Sequence, residues 1–322
     1  MVNSKQVAKR AGVSHATVSR AFSNPEMLSE KTLKKVLDAV KELGYVPNAL
    51  ASSLKSTRNG SAGFIISNIR NNFFTNIAYQ LQKELYADGK SFLIELSDEN
   101  INEEYECMLS LISNKVSVVM FIPSAYSKDV ESLINNHQGV KFIQLFRNCY
   151  DNVDSLIVND RKGAEIATEL FLKKGKTKIL LMDGASALPT YRKEGYIDAF
   201  EKAGIPVDER YIKSLPLWGD VNNEIDEYIS QLKPDGIIAV TDFLTAKTVE
   251  VLSRRGLKIG QDVGMVAYDD SLIAKTLQIT AISHDNESII SGIERMMFDA
   301  IGGCDSGENI VITPVVVDRN SV

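Results

Sequence analysis

The feature that most restricts the fold is an alternation of short apolar runs with longer amphipathic stretches, which begins near residue 61. The runs are rich in Val, Ile and Phe, and they lie at 63–66, 92–96, 116–122, 141–145, 156–158, 178–182, 236–240 and 263–267. Short strands that alternate with helices are typical of a parallel, doubly wound α/β sheet. Because the scheme occurs twice, residues 61–322 are predicted to form a body of two such sheets.

The charge distribution separates a short first segment from this body. The 322 residues carry a formal net charge of −6, but residues 1–60 have ten Lys and Arg against four Asp and Glu. That segment is therefore +6, which leaves −12 on residues 61–322. Such an asymmetry predicts a small module that meets a polyanion and a larger body that does not.

Signals for catalysis, metal binding and export are missing from the sequence. The three cysteines, Cys107, Cys149 and Cys304, are far apart, and the three histidines are well separated. Neither a disulfide framework nor a C-x-x-C site is available, and no G-x-G-x-x-G, G-x-x-x-x-G-K-[ST] or G-x-S-x-G motif occurs. The start has no apolar export segment, and no run is long enough to span a membrane. We therefore expect a cytoplasmic protein that is not an enzyme and has no cofactor, metal site or membrane contact.

The first sixty residues have the pattern of three short helices. Ser4 is a candidate N-cap of the first helix, Gly12 permits a turn, and Ser14 is a candidate N-cap of the second. A third helix is predicted to begin at Ser29 and to end at Gly44. The predicted inward residues are Val18, Ala21 and Phe22 on the second helix and Leu33, Val36, Leu37, Val40 and Leu43 on the third. Two short helices joined through a glycine turn form a helix-turn-helix.

The outward face of the second helix carries side chains suited to DNA. Arg20 can bind guanine through two hydrogen bonds, His15 can hydrogen-bond a base edge, and Ala16 can pack on a thymine methyl group. Short polar groups that point outward or suit phosphate oxygens are Ser14, Thr17, Ser19 and Asn24. The alternative interpretation is a three-helix bundle whose surface polar groups are merely solvated.

Several segments of the sequence together resemble the signature of the LacI/GalR family of bacterial transcription regulators. They are VA at 7–8, AGVS at 11–14, TVSR at 17–20, Asn24, and LGYVPNALA at 43–51. The resemblance implies that His15, Ala16 and Arg20 hold base-reading positions. It extends over nearly the whole chain and implies a periplasmic-binding-protein-like body of type I behind an all-α headpiece.

The resemblance also implies a hinge helix at about 48–55 that folds on the operator. Asn48 can cap it, and Leu54 would be the wedge inserted into the minor groove. Ser52 stands where the family often has arginine, so the phosphate contact there would be weaker or be replaced by Lys55 and Arg58. A plain linker is the alternative for this segment.

In the implied fold the chain crosses three times between two lobes, and we place these crossings near 159–160, 283–286 and 313–315. The predicted domains are a headpiece at 1–60 and a body at 61–322. The first lobe would comprise about 61–159 and 286–312, and the second about 160–285 and 313–322. The family dimer contact would lie on the helix at about 73–88 and on its counterpart after Asp270.

Ligands of open α/β sheets bind beyond the carboxyl ends of the strands, which selects candidate cleft residues without reference to any family. From the first half the rule selects Asn68, Asn71, Phe73, Phe74, Ser124 and Arg147, and from the second Asp183, Arg192, Trp218, Asp242 and Asp269. Aromatic rings combined with carboxylates, amides and guanidinium groups suit a polyhydroxylated ligand. The sequence therefore predicts a sugar-like effector.

Some of these residues also have family counterparts. Arg192 and Asp269 lie in segments that resemble the effector-clamping arginine and aspartate, and Asp160 resembles a crossover aspartate with a ligand or hinge role. Asp242 matches a family position near the cleft but is also a candidate helix cap. Asn68 stands where the family frequently has aspartate.

These observations favour a homodimeric transcription regulator, most simply a repressor, that reads a palindromic operator and responds to a sugar or sugar derivative. The alternatives are a family regulator controlled by a partner protein or a non-sugar metabolite, a solute-binding protein, and an enzyme that uses the carboxylates of Asp183, Asp242 and Asp269 on a sugar.

Overall fold

The computed structural model describes residues 2–45, 60–304 and 307–322. The chain divides into two compact units, Met1–Gly60 and Ser61–Val322. Each unit has its own hydrophobic core, and the smaller core contains Val7, Val18 and Val36.

The first unit contains helices α1 (Ser4–Ala11), α2 (His15–Ser23) and α3 (Glu30–Leu43), with a 3-10 turn at Pro25–Met27. The N-cap of α1 is Asn3 and not Ser4. The Asn3 side chain accepts a hydrogen bond from the Gln6 backbone N–H, and the Gln6 side chain accepts one from the Asn3 backbone N–H. This reciprocal capping box satisfies two groups at the helix start, so Ser4 is the first helical residue.

Two residues expected in the core of the first unit are exposed. Phe22 is 37% exposed and packs against Tyr45, and Leu37 is 46% exposed, while Ala39 is buried instead. The inward face of a short helix is narrow, and residues at its edge remain partly in solvent. The predicted caps Ser14 and Ser29 both accept backbone hydrogen bonds at helix starts.

The second unit contains nine described helices and twelve strands. Its first part runs β1 (Ala62–Ile66), α4 (Asn72–Ala87), β2 (Phe92–Leu96), α5 (Ile101–Ser113), β3 (Val118–Phe121), α6 (Lys128–Asn136), β4 (Lys141–Leu145) and β5 (Asp154–Val158). It continues with α7 (Asp160–Lys173), β6 (Ile179–Gly184), α8 (Arg192–Lys202), β7 (Ile212–Leu215), α9 (Asn222–Leu232), β8 (Gly236–Ala239), α10 (Asp242–Arg254), β9 (Gly264–Tyr268), α11 (Leu272–Thr276), β10 (Thr280–Ser283), α12 (Asn286–Gly302), β11 (Asn309–Ile312) and β12 (Val315–Val317).

The strands form two six-stranded sheets. The first sheet has the order β11-β5-β4-β3-β1-β2, and the second has the order β12-β10-β9-β8-β6-β7. The α/β class and its two doubly wound sheets are confirmed. The first sheet is parallel throughout, but β12 runs antiparallel to β10, which corrects the expectation of a wholly parallel second sheet.

The chain passes between the two sheets three times. It leaves the first sheet after β5, returns after β10, and leaves again between β11 and β12. Strands β1, β3, β8 and β9 are buried along their whole length. Helices cover both faces of such strands, which explains why they appear in the sequence as continuous apolar runs.

Helices α7 and α8 pack unusually closely at Gly195. A Cβ atom built at this position would lie 1.9 Å from the backbone oxygen of Arg161. Side chains of the same two helices are joined where Arg161 donates to Asp198 at 2.6 Å. Since backbone atoms cannot withdraw as a flexible side chain can, only glycine fits this contact.

We predict that Gly195→Ala destabilises the protein by about 2–3 kcal/mol through overpacking. Urea unfolding followed by circular dichroism would measure the change. Gly302→Ala is the matched control, because a Cβ there meets nothing within 4 Å and the residue also belongs to a helix. Equal stability of the two variants would contradict the close helix contact.

Candidate functional site

A cavity of about 1010 Å³ lies between the two sheets, at the carboxyl ends of their strands. Nine of the ten residues predicted to bind the effector line it, namely Asn68, Phe73, Phe74, Arg147, Asp160, Arg192, Trp218, Asp242 and Asp269. The strand-end rule accounts for this, since each of them follows a strand or begins the next helix. The volume is at the upper end of the range typical of small-molecule sites.

Ser124 is the exception among the predicted residues. It is buried behind the cavity, where its backbone N–H donates to Glu104 Oε2 at 2.6 Å. Burial raises the pKa of Glu104 to about 7, and the hydrogen bonds from Ser124 oppose this rise. Asp183, which the strand-end rule also selected, is not part of the lining of this cavity.

Arg192 is the centre of a buried charge cluster at the cavity wall. It is the first residue of α8, and its Nη2 donates to Asp160 Oδ2 at 2.9 Å while its Nη1 donates to Asp183 Oδ1 at 3.3 Å. The guanidinium also lies 5.0 Å from the centre of the Tyr268 ring. Burial alone would lower the pKa of Arg192, but the two carboxylates outweigh it, so the pKa is raised. Burial raises the pKa of Asp160, and Arg192 offsets only part of that rise.

A hydrogen-bonded pair, His284 and Asp269, joins the end of β10 to the end of β9. His284 Nε2 donates to Asp269 Oδ1 at 2.8 Å. The imidazole packs against the rings of Phe73 and Tyr268, with centroids 5.6 and 5.9 Å away. Burial lowers the pKa of His284, but the carboxylate of Asp269 outweighs this effect, so the pKa is raised. His284 was not predicted as a site residue, although it lies in the segment assigned to a crossing.

Aromatic rings form the wall of the cavity nearest the first sheet. Phe73 contacts Phe74 and Phe146, with centroids 5.7 and 5.1 Å from its own. Phe146 was not selected from the sequence, although it directly follows β4. On the other side, Trp218 lies in the loop after β7, with the guanidinium carbon of Arg70 5.9 Å from its ring centre. Rings placed in this way can stack on the C–H faces of a ligand.

Four cavity residues have left-handed backbone conformations, which non-glycine residues seldom adopt. Their φ angles are 57° at Glu99, 64° at Phe146, 59° at Tyr191 and 66° at Asp269. Such conformations cost about 1–3 kcal/mol each, and the surrounding structure must hold them in place. Four of the ten described non-glycine residues with positive φ thus line this cavity.

The predicted DNA-reading face lies on α2 of the first unit. Ala16, Arg20 and Asn24 are exposed, while Thr17 and Ser19 are half-buried. Ser14 is the N-cap of α2 and accepts from the Thr17 backbone N–H, and His15 Nε2 lies 2.8 Å from Ser4 Oγ. The predicted hinge at 48–55, with Asn48, Leu54 and Lys55, lies outside the described residues.

The part of the chain that the structure describes lacks two other kinds of site. No group of three or more His, Cys, Asp or Glu residues there could hold a metal ion. No described helix is long and apolar enough to cross a membrane.

Comparison with known proteins gives a family match in each of the two units. Residues 5–48 match the model of bacterial regulatory proteins of the lacI family, and residues 168–322 match the periplasmic binding protein-like domain. The HTH-type transcriptional regulator RegA of Clostridium saccharobutylicum is 28% identical, with 98% of each chain covered.

Solved structures agree with this assignment at the level of the fold. The Lac repressor bound to ONPG has a TM-score of 0.84 at 20% identity, and the alignment covers 100% of this chain and 99% of that one. The complex of the transcriptional regulator CelR with cellobiose has a TM-score of 0.69 at 22% identity, with full coverage of both chains. A helix-turn-helix unit and a cleft-bearing α/β body in one chain define a transcriptional regulator with a ligand-binding domain. The chain therefore combines a domain of the lacI family of bacterial regulatory proteins with a periplasmic binding protein-like domain.

The His284–Asp269 pair makes stability depend on pH. A histidine whose pKa is higher in the folded state stabilises the fold below its unfolded pKa of about 6.5, and this contribution is lost as pH rises through the folded pKa. We therefore predict that the loss of unfolding free energy on His284→Gln is larger at about pH 5.5 than at about pH 8.5. Urea unfolding at both pH values would measure it.

Asp269→Asn provides the control for this prediction, because it removes the charge that raises the histidine pKa. In that background, His284→Gln should show a much smaller difference between the two pH values. An equal pH dependence with and without the Asp269 carboxylate would contradict the assignment.

Proposed function

We propose that this LacI-family regulator represses transcription by binding a palindromic operator as a homodimer, and that a sugar or sugar derivative in the cavity controls that binding. The observation that carries the proposal is the lining of the cavity. Aromatic rings stand opposite buried carboxylates and a guanidinium group, and this combination suits a ligand with both C–H faces and hydroxyl groups.

The comparisons support a sugar but do not decide its identity. CelR, which shares the fold, is described in complex with cellobiose. In the cavity, Asp160 and Asp242 each have a carboxylate oxygen without a hydrogen-bond partner among the described residues, and Arg192 has a free Nε. Hydroxyl groups can both donate and accept, so a polyol could satisfy all three side chains.

For the DNA-binding half, we propose that α2 enters the major groove. Its exposed Arg20 would contact guanine, and His15 and Ala16 would contact neighbouring base edges. Asn48 through Lys55 would form the hinge helix on the operator, with Leu54 inserted into the minor groove. DNA binding assigns the protein to the bacterial cytoplasm.

A homodimer follows from the small size of the reading unit, because two copies on a two-fold axis read two half-sites. Large apolar side chains on the proposed contact helices support this. Tyr79 and Tyr86 on α4 are exposed, the latter to 82%, and Leu272 on α11 is 79% exposed. Apolar groups of this size on a surface are typical of an association site.

The proposed mechanism is a shift in population between arrangements of the two sheets. A ligand that contacts both sides of the cavity binds one arrangement better than another, and it stabilises that arrangement by the difference in affinity. The DNA affinity then changes by the same coupling free energy that links the two binding events.

We predict that Arg20→Ala reduces discrimination between the operator and an unrelated sequence by about 1–3 kcal/mol per half-site, because a contact to a base edge is lost. Fluorescence anisotropy with labelled duplexes would measure it. Lys34→Ala is the matched control, since a diffuse phosphate contact should weaken binding to both duplexes equally and reduce the salt dependence. Unchanged discrimination in Arg20→Ala would remove α2 from the reading role.

We predict that Asp269→Asn lowers effector affinity at least about tenfold while operator affinity without effector is retained, because a ligand hydroxyl loses a charged acceptor. Isothermal titration calorimetry with a panel of mono- and disaccharides, cellobiose included, would identify the ligand and measure the loss. Asp129→Asn changes an exposed carboxylate on α6 and should bind as the unmodified protein does. Equal affinity in the Asp269 variant would exclude that residue from the site.

A further inference from the structure

We propose that the cavity selects uncharged or cationic ligands and excludes phosphorylated and carboxylated ones, because every guanidinium group of its described lining already binds a carboxylate of the protein. The proposal rests on the proposed effector role of the cavity. If the cavity excludes anions, the effector is a free sugar or an amino sugar and not a sugar phosphate or sugar acid.

Both of the less exposed arginines of the lining are paired with carboxylates of the protein, and Arg192 Nε is left as a buried donor without a partner among the described residues. Arg147 donates to both carboxylate oxygens of Glu99, at 2.6 and 2.9 Å, and to the Pro123 carbonyl at 2.8 Å. Arg192 is held between Asp160 and Asp183, as described above. Anion recognition commonly uses the two-pronged geometry of a free guanidinium, and here that geometry is occupied by protein carboxylates.

The two outer arginines have carboxylate partners as well. Arg161 donates to both oxygens of Asp198, at 2.6 and 2.9 Å. Arg70 lies 3.3 Å from Asp98, and its guanidinium also lies beside the Trp218 ring. Both pairs are largely solvent-exposed and therefore weaker than the buried pairs, but neither leaves an unmatched positive charge.

The arginines of the lining all have carboxylate partners, but the carboxylates of the lining do not all have cationic partners. The lining contains five carboxylates and four guanidinium groups, together with His284, which is bound to Asp269. Neither Asp242 nor Asp151 has an ion pair with a described residue. Burial raises the pKa of Asp242, and hydrogen bonds from Ser271 and Asn72 oppose this rise.

Helix starts are the other common binding positions for anions, and those of α4, α7, α8 and α10 border the cavity. Asp160 and Asp242 are the first residues of α7 and α10, and Glu194 follows Arg192 in α8, so each of these three helices already has a carboxylate in its first turn. The start of α4 has no acidic residue, but its Asn72 donates to Asp242 from across the cavity. The protein's own carboxylates thus occupy the positions that a phosphate would need.

Buried atoms of the lining without a hydrogen-bond partner favour a ligand that can both donate and accept. Among the described residues, Asp160 Oδ1 and Asp242 Oδ1 are acceptors without a donor, and two nitrogens, Arg192 Nε and His284 Nδ1, also lack a partner. Hydroxyl or ammonium groups can supply the missing donors, whereas a carboxylate or phosphate dianion supplies only acceptors. Burying such an anion beside these oxygens adds repulsion to the cost of desolvation.

The charge of the cavity can be tested without knowing the effector, because Trp218 is the single tryptophan of the chain and lines the cavity. We would compare quenching of its fluorescence by iodide, caesium and acrylamide in a full-length Arg70→Gln, Asp98→Asn double variant, which removes the ion pair beside the ring without changing the net charge. Quenching constants normalised to a free tryptophan derivative should be at least about twofold higher for caesium than for iodide, and Asp242→Asn should reduce that ratio. Stronger quenching by iodide would overturn the proposal.

Matched ligands test the consequence for selectivity. Calorimetry with glucose, glucosamine and glucose 6-phosphate, and with cellobiose and cellobionate, should show at least about tenfold weaker binding of each anionic member than of its uncharged parent. An anionic member that binds as tightly as its parent, or more tightly, overturns the proposal. If no sugar binds while caesium remains the better quencher, the sugar effector is wrong and the exclusion of anions is supported.

Discussion

A parallel strand must be followed by a crossover that returns the chain to the same end of the sheet, and the rest of this structure depends on that constraint. The loops after all parallel strands therefore gather at one edge. In this body two such edges border one cavity, so residues as distant in sequence as Asn68 and His284 line the same space. The topology of the two sheets therefore determines which residues meet in the cleft.

The charges in the cleft are held by one another. Desolvating a lone guanidinium or carboxylate costs several kcal/mol, and a buried ion pair recovers this cost only with good geometry and further hydrogen bonds. Arg192 meets that condition through two carboxylates and the face of Tyr268. These contacts fix the orientation of the Arg192 side chain and of its two carboxylate partners. Rotating any one of them away would leave an uncompensated charge out of contact with water. The wall that a ligand meets is therefore preorganised.

What the sequence could predict depended on burial. The central strands of both sheets are covered on two faces, and their continuous apolar runs predicted them to within about two residues. Strands β7, β10, β11 and β12 were missed. They are three or four residues long, and three of them lie at sheet edges, where part of the strand stays exposed. Each has at most three consecutive apolar residues, which is too short a run to stand out in the sequence. Since β10 was missed, the strand-end rule had no reason to select His284 after it.

Side-chain partners were beyond sequence reasoning for a related physical reason. Nothing in the order of residues shows that Arg147 is bound to Glu99, a residue 48 positions earlier, and so is not free to bind an anion. The sequence candidates included five of the nine acidic and arginine side chains in the lining, and they lacked Arg70, Glu99, Asp151 and Arg161. The balance of charge among all nine depends on pairs that only the folded chain forms. A lining of aromatic rings, carboxylates and arginines suits both a sugar and a sugar phosphate. Whether the arginines are already bound to carboxylates of the protein distinguishes the two ligands, because only a free arginine favours the phosphate.

The crossings between the sheets and the ligand site involve the same residues. Asp160 begins α7 directly after the first passage, His284 lies in the second, and Val311 stands at the end of β11 before the third, and all three line the cavity. A ligand in this cavity therefore lies beside each of the three chain segments that connect the two sheets. Any change in the angle or distance between the sheets would change the conformation of these segments. Coupling free energies of about 1–3 kcal/mol are typical of such systems. A few hydrogen bonds that differ between two arrangements of the sheets supply that amount, so control by an effector requires no second site in the body.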